Sequence, residues 1–473
     1  MNESFGGLTL AIVGGGLSGA LVAIHLLRQS PSGTRILLVE RRVAAGRGVA
    51  YSTECPDHLL NVPAGRISLF PAEPEHFLDW LRARARPGSA EIAAADFLPR
   101  SLFGRYVVET LAAAEANANP GVALIRVHGE AVDLEEIAPG RAKLTLADGR
   151  SFDADRVLLA LGHLPGEYPL KRPLLFYRGP RYVHVPWAPG LMANIGRDDN
   201  VLVVGAGLTA VDVIIELDRI GHRGKVYALS RRGFRPFAHQ PVAAYPSFFD
   251  GETLPRTTSA ALHRLRLEVR RAAAQGIDWR AVIDAARPWA PAIWQGFSWS
   301  ERARFLRHAR PFWENHRHRL APATSAILQR LEAAGRIQFL AGRVESLRDL
   351  PTTAEAVCRR RGSGELATFH VAKVINCTGP RTDYSKYQHP LLINLLARGL
   401  IDHDPLALGL NALPNGEVLR YRGGPSGWLF TIGPPLKGVL LESTAVIEIR
   451  VQAQALADRL LAAASGAITL NPA

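Results

Sequence analysis

At 473 residues the chain exceeds one ordinary core, and its 47% hydrophobic and 21% charged content excludes extensive disorder, so two or three folded domains are expected. The net charge of +13 is carried by scattered arginines with no zinc-finger or stacked-aromatic pattern, which leaves nucleic acid unsupported as a partner. Three cysteines, Cys55, Cys358 and Cys377, are far apart and odd in number; they exclude a disulfide framework and a CxxC relay, and indicate a reducing compartment.

The apolar stretch LTLAIVGGGLSGALVAIHLL (8–27) has no basic leader and is interrupted by three glycines. It is therefore read neither as a signal peptide nor as a membrane span, and the cytoplasm is the default location. Its pattern predicts a buried strand, a glycine turn and a helix, with a second buried strand at RILLVE (35–40). Gly14, Gly16 and Gly19 form G-x-G-x-x-G in that turn, where backbone N–H groups and the helix N-terminus suit a pyrophosphate. Glu40 closes the second strand, where a carboxylate accepts from ribose hydroxyls. A β-rich stretch follows over 122–165, with a DGR turn and an apolar strand that meets Gly162.

The same pattern then recurs. NVLVVGAG (200–207) opens LTAVDVIIELDRIG and leads to KVYALS (225–230), with Gly205, Gly207 and Ala210 at the corresponding places. Here the strand closes on Ser230, Arg231 and Arg232, and guanidinium groups there pair with a 2′-phosphate that a carboxylate would repel. NADP rather than NAD is expected at this second site. A helix-patterned insertion fills about 235–335, beginning with FRPFAHQP, where His239 is either a catalytic candidate or a structural histidine. Within it, RARFLRHARPFWENHRHRLAP (302–322) concentrates histidine and arginine. On a helix His316 and His318 point to nearly opposite faces, so no metal site is expected. His316 and Arg319 are either contacts to substrate or cofactor phosphates, or a buried anchor for the insertion. A second β-rich stretch (336–380) contains a GSGE turn and ends at Gly379. The fold class expected is α/β, with two Rossmann-like dinucleotide-binding domains, β-rich excursions and a helical insertion. The expected boundaries are 1–170 for the first part of one domain, 171–370 for the other, and 371–473 for the return.

In order and over nearly the whole chain, GGGLSG, Glu40, LLALGHLP, GAGLTA, SRRG and INCTGP resemble the two-dinucleotide-binding-domain flavoproteins. GRGVAYST (46–53), which holds Arg47, HLLNVPAGRISLFP (58–71) and FWENHRHRLAP (312–322) resemble the bacterial FAD-NAD(P)-binding group related to class B flavin monooxygenases. The resemblance implies FAD on Gly14, Gly16, Gly19 and Glu40, with Arg47 and Gly162 nearby, and NADPH on Gly205, Gly207, Ala210, Arg231 and Arg232, with Gly379 nearby. WLFTIGPPLKGVLLESTAVIEIRVQA (428–453) resembles the segment that closes the flavin site at Gly433, but Pro434 stands where the family has an aspartate. FYRGPRYVHVPW (176–187), with His184, is a degenerate match to the class B signature, or a linker with an interdomain histidine. Asn61 resembles an asparagine near the flavin of N-oxidising enzymes and has an equal excuse as a turn residue before Val-Pro. The activity implied is a monooxygenase of the C4a-hydroperoxyflavin type on a small substrate, which the arginines suggest is anionic, with molecular oxygen as co-substrate. The alternatives are a flavin dehydrogenase or reductase with a non-oxygen acceptor, and a non-catalytic FAD/NAD(P)-binding protein.

Overall fold

A computed structural model describes residues 7–42, 45–88, 90–188 and 190–462. In chain order, β1 (Thr9–Val13), α1 (Leu17–Gln29) and β2 (Arg35–Glu40) form the first βαβ start. Then come α2 (His76–Arg82), α3 (Arg100–Ala116), β3 (Ala123–His128), β4 (Ala131–Ala138), β5 (Arg141–Leu146), β6 (Ser151–Ala154) and β7 (Arg156–Leu159). The second start is β8 (Tyr182–Val183), β9 (Val201–Val204), α4 (Leu208–Arg219) and β10 (Val226–Ser230). The insertion is helical as its pattern predicts: α5 (Thr258–Ala274), α6 (Trp279–Ala286), α7 (Ala290–Gly296), α8 (Trp299–His308), α9 (Arg310–Arg317) and α10 (Pro322–Ala333). The chain continues through β11 (Ile337–Asp349), β12 (Ala354–Arg360), β13 (Leu366–Val371) and β14 (Lys373–Asn376). It ends with α11 (Pro390–Ala397), β15 (Glu417–Leu419), β16 (Pro425–Thr431), α12 (Lys437–Leu440) and α13 (Val446–Ala462).

These elements divide into two compact units. The first draws on residues 1–52, 62–164 and 382–473, and the second on 53–61 and 165–381. The chain thus changes unit at 164/165 and 381/382, and the short segment Thr53–Asn61, which no local pattern signals, belongs with the second unit.

In the first unit the six-stranded sheet has the order β15-β16-β7-β1-β2-β3 and is parallel from β16 to β3. All five residues of β1 are buried, as a parallel strand covered on both faces requires. Helix α1 is apolar nearly all round because it is enclosed by the sheet, α3 and α13. Leu21 and Ile24 are almost fully buried there, each worth roughly 1.5–3 kcal/mol relative to exposure. Strands β4, β5 and β6 form a separate antiparallel sheet whose hairpin turns at Gly149, at φ +86°.

The second unit has a seven-stranded sheet, β13-β12-β11-β10-β9-β14-β8. Here the β-rich excursion stays in the main sheet. β11 runs on for 13 residues, pairing parallel with β10 along its first part and antiparallel with β12 along its second. The first unit has a break at that point, between β3 and β4 at Gly129 and Glu130. A bulge between Val344 and Ser346 absorbs the change in β11. In the insertion, Thr257, Asp278 and Ser298 each cap a helix with a side-chain oxygen, and Glu301 accepts from Thr258 N at 2.8 Å to tie α8 to α5. No helix among the described residues is long and apolar enough to cross a membrane.

Candidate functional site

The parallel register brings the ends of β1, β2, β7 and β16 to one edge of the first sheet, the edge at which open α/β sheets bind ligands. Gly14 follows β1 at φ +108°, and a β-carbon there would collide with the Ala160 carbonyl beyond β7. Gly205 repeats the arrangement in the second unit: φ is +125°, and a β-carbon would collide with the Cys377 carbonyl beyond β14. Only glycine fits either position without strain. Both turns deliver the chain into a helix, and neither Gly16 nor Gly207 has a side-chain cap, so the N-terminal N–H groups of α1 and α4 remain for a ligand anion. The third small residue packs helix on strand in each copy: a β-carbon on Gly19 would meet the Gly14 carbonyl, and Ala210 is fully buried.

Glu40 lies directly against the first glycine turn. Its carboxylate accepts from Gly15 N at 2.8 Å and from Arg42 N at 2.9 Å. Gly46 N donates to the Gly15 carbonyl at 2.7 Å, which fixes the start of the segment that carries Arg47. The Nε atom of Arg47 is buried with no hydrogen-bond partner among the described residues. Gly433, at φ +76°, lies beside the first turn of α1: a β-carbon on it would stand 3.0 Å from Ser18 Oγ, and its N–H donates to Gln452 Oε1 at 3.1 Å. The carbonyl of Gly162 accepts from Tyr384 OH at 3.2 Å.

In the second unit the chain beyond β10 turns sharply. Gly233 N donates to Ser230 Oγ at 3.0 Å, and Gly233 itself, at φ +67°, packs on Ala341 of β11. Arg231 is exposed, and the Arg232 guanidinium lies 5.7 Å over the ring of Phe312 in α9. Gly379, at φ +90°, follows β14 at the same edge of the sheet.

His239 and Asn61 meet, although 178 residues separate them: His239 Nε2 donates to the Asn61 carbonyl at 2.9 Å. Burial, and then the charge of Arg319, lowers the His239 pKa to about 4, so the ring is neutral near pH 7. Because the unfolded ring titrates near 6.5, only the unfolded chain takes up this proton as the pH falls from 6.5 to about 4, and stability is lost across that window. The melting temperature of His239→Gln, followed from pH 7 to pH 4, is expected to fall less steeply than that of the wild type; parallel curves would count against this assignment.

The histidine- and arginine-rich stretch behaves as a structural strap that also reaches the strand end after β10. Arg319 is 5% exposed and ion-paired with Asp284 of α6, and burial lowers its pKa. His316 donates from Nδ1 to the Phe312 carbonyl at 2.7 Å, and its ring packs against Phe237 and Trp279. Phe312 makes the contact with that strand end, through Arg232. His184 stacks on Tyr168 with ring centroids 4.6 Å apart, and burial followed by the charge of Arg381 lowers its pKa. No cluster of three metal-ligating side chains occurs among the described residues.

Sequence reasoning missed a buried group around His58. Thr53 Oγ1 lies 2.7 Å from Nδ1 of His58, and Nε2 donates to the Asp212 carbonyl on α4 at 2.9 Å. Burial alone would raise the Cys55 pKa, but the hydrogen bond and charge of His58 outweigh it and hold the thiol below its ordinary value. The Cys-x-x-His spacing was visible, but its contact with a helix more than 150 residues later was not.

With two glycine cradles at the ends of parallel strands in two sheets, the chain has the class of fold of the two-dinucleotide-binding-domain flavoproteins. Residues 11–164 match the model of a family described as FAD-NAD(P)-binding. Among solved structures, the reduced form of an ornithine hydroxylase from Pseudomonas aeruginosa is similar at 16% identity and a TM-score of 0.62, over 97% of this chain and 100% of that one. A cadaverine monooxygenase of desferrioxamine biosynthesis from Erwinia amylovora, bound to FAD, is similar at 13% identity and 0.63, over 96% and 94%. An L-lysine 6-monooxygenase from Pseudomonas syringae is similar at 13% identity and 0.61, over 96% and 99%. No curated protein matches the chain.

Proposed function

We propose that the protein is an FAD-dependent oxidoreductase reduced by NADPH, a monooxygenase acting on a small molecule. The observation that carries this reading is the opposite chemistry beside the two cradles, Glu40 at the first and Arg231 and Arg232 at the second. A carboxylate accepts from ribose hydroxyls, whereas guanidinium groups favour a 2′-phosphate. FAD is assigned to Gly14, Gly16, Gly19 and Glu40, with Gly162 and Gly433 at the same sheet edge. The description of the family matched over 11–164 supports this, and so does the unpartnered Arg47 Nε, which a pyrophosphate oxygen would satisfy. NADPH is assigned to Gly205, Gly207, Ala210, Arg231 and Arg232, with Gly379 on the neighbouring strand end.

Bound flavin supplies hydride acceptance and the reaction with molecular oxygen. The chain contributes binding and orientation: α1 and α4 hold phosphates at their N-termini, Glu40 holds a ribose, and the arginine pair selects the phosphorylated nicotinamide cofactor. Asn61 is the candidate hydrogen-bond donor to a reacting group, and neutral His239 is its positioning residue through the 2.9 Å bond to its carbonyl. His184, His316 and Arg319 are the remaining candidates for contact with substrate; His184 and His316 pack among aromatic rings, and Arg319 is ion-paired with Asp284. The similar structures are named for ornithine, cadaverine and L-lysine, so a small amine is the first substrate class to test, and the arginines favour one with an anionic end.

Anaerobic mixing with NADPH is expected to bleach the flavin. In air, NADPH oxidation across an amine panel should consume oxygen and raise a product mass by one oxygen atom, with peroxide measured as the uncoupled fraction. No bleaching would sink the reading at its first step. Bleaching with electrons passed to a non-oxygen acceptor, and no oxygen uptake, would favour a dehydrogenase.

A further inference from the structure

The run CRRRG (358–362) ends β12 and enters the hairpin to β13. The first and last of its three arginines have different fates. Arg359 pairs with Glu345 at 2.8 Å, whereas Arg361 is exposed and directed back across the sheet. The Arg361 backbone N–H donates to the Ala341 carbonyl at 2.9 Å, and its Nη1 donates to the carbonyl of Arg231 at 3.2 Å. Ala341 is the β11 partner of Ser230, the last residue of β10. The sheet register therefore delivers Arg361 to the strand end that carries Arg231 and Arg232.

Charge bookkeeping sets this place apart. Nearby arginines are neutralised: Arg235 by Glu332, Arg343 by the same Glu345, Arg348 by Glu355, and Arg330 by Asp218. Arg231, Arg232 and Arg361 have no carboxylate partner among the described residues. One N–H of Arg361 is spent on the Arg231 carbonyl, which orients the guanidinium and leaves four donors. A partly spent guanidinium fixed at the strand end that carries two further arginines is an arrangement that an incoming dianion stabilises.

We propose that Arg361 is the third arm of the site that takes the 2′-phosphate of NADPH, and that it is a specificity-determining residue there. The inference rests on the reading of the second unit as NADPH-binding. It gives the phosphate a clamp built from two stretches of chain 130 residues apart, Arg231 and Arg232 after one strand and Arg361 from a hairpin.

The test is equilibrium binding of 2′,5′-ADP, 5′-AMP and inorganic phosphate to the full chain, wild type and Arg361→Ala, by titration calorimetry. In the wild type 2′,5′-ADP is expected to bind well above the other two. Arg361→Ala should weaken 2′,5′-ADP about tenfold, the worth of one charge-assisted contact, and leave 5′-AMP unchanged, with Arg361→Lys intermediate. Three results overturn the proposal: unchanged 2′,5′-ADP affinity in Arg361→Ala, an equal loss for 5′-AMP, or wild-type protein that binds 2′,5′-ADP no better than inorganic phosphate. Melting curves that coincide for wild type and variant confirm that the change is local. Selective loss of 2′,5′-ADP binding in a protein whose NADPH drives no oxygen uptake would support the clamp and sink the monooxygenase reading alone.

Discussion

Gly14→Ala is expected to purify without its flavin, at less than about a tenth of the wild-type flavin-to-protein absorbance ratio. Two costs add at this position. An alanine at φ +108° enters a region that L-residues rarely occupy, a strain of about 1–3 kcal/mol. In addition, the new β-carbon runs into the Ala160 carbonyl, which is backbone and cannot swing aside as a flexible side chain would. The turn must open, and that moves the uncapped N-terminus of α1 away from the phosphates it would hold. Gly149→Ala is the control: its φ is +86°, but nothing lies within 4 Å of the added carbon, so it carries only the conformational cost. Flavin content and melting temperature of the two variants separate cradle geometry from general glycine strain. Equal flavin in Gly14→Ala and wild type would overturn the assignment of this turn to the cofactor.

The double variant Arg231→Ala/Arg232→Ala is expected to raise the KM for NADPH by about a hundredfold, while the KM for NADH and the rate of flavin reduction at saturation change little. Each charge-assisted contact to phosphate is worth about 1.5–3 kcal/mol, or roughly tenfold or more, and two are removed. The effect falls on binding because the 2′-phosphate is remote from the reacting carbon and its contacts are the same in ground and transition states. An equal rise for NADH would assign the loss to the fold of the strand end. Arg232 is also braced by Phe312, so Phe312→Ala is expected to give a smaller shift in the same direction.

Much of the architecture is local and was readable. Strand, glycine turn and helix are written in hydrophobic period and in the spacing of small residues, so both βαβ starts appear within a few residues of their predicted limits. The hairpin turns at Gly149 and at Gly362 and Gly364 were legible for the same reason, because positive φ selects glycine. The helical character of the insertion was equally plain. The role of its histidines and arginines was not. Whether Arg319 faces a ligand or pairs with Asp284 depends on α6 and the segment just beyond α9, 35 residues apart, and nothing in either stretch announces the other.

Taken by itself, the sequence determined the class of fold, the two glycine cradles and the contrast between a carboxylate and an arginine pair beyond them. Each of these is set by residues within about thirty positions of one another, the span over which backbone geometry and side-chain period act. Only the tertiary structure decided that Thr53–Asn61 joins the second unit, that His239 holds Asn61, and that a hairpin arginine reaches the end of β10. Those contacts are made by sheet register and by chain brought together from a distance. Their partners are chosen by burial and hydrogen bonding in the folded protein, and no local pattern encodes them.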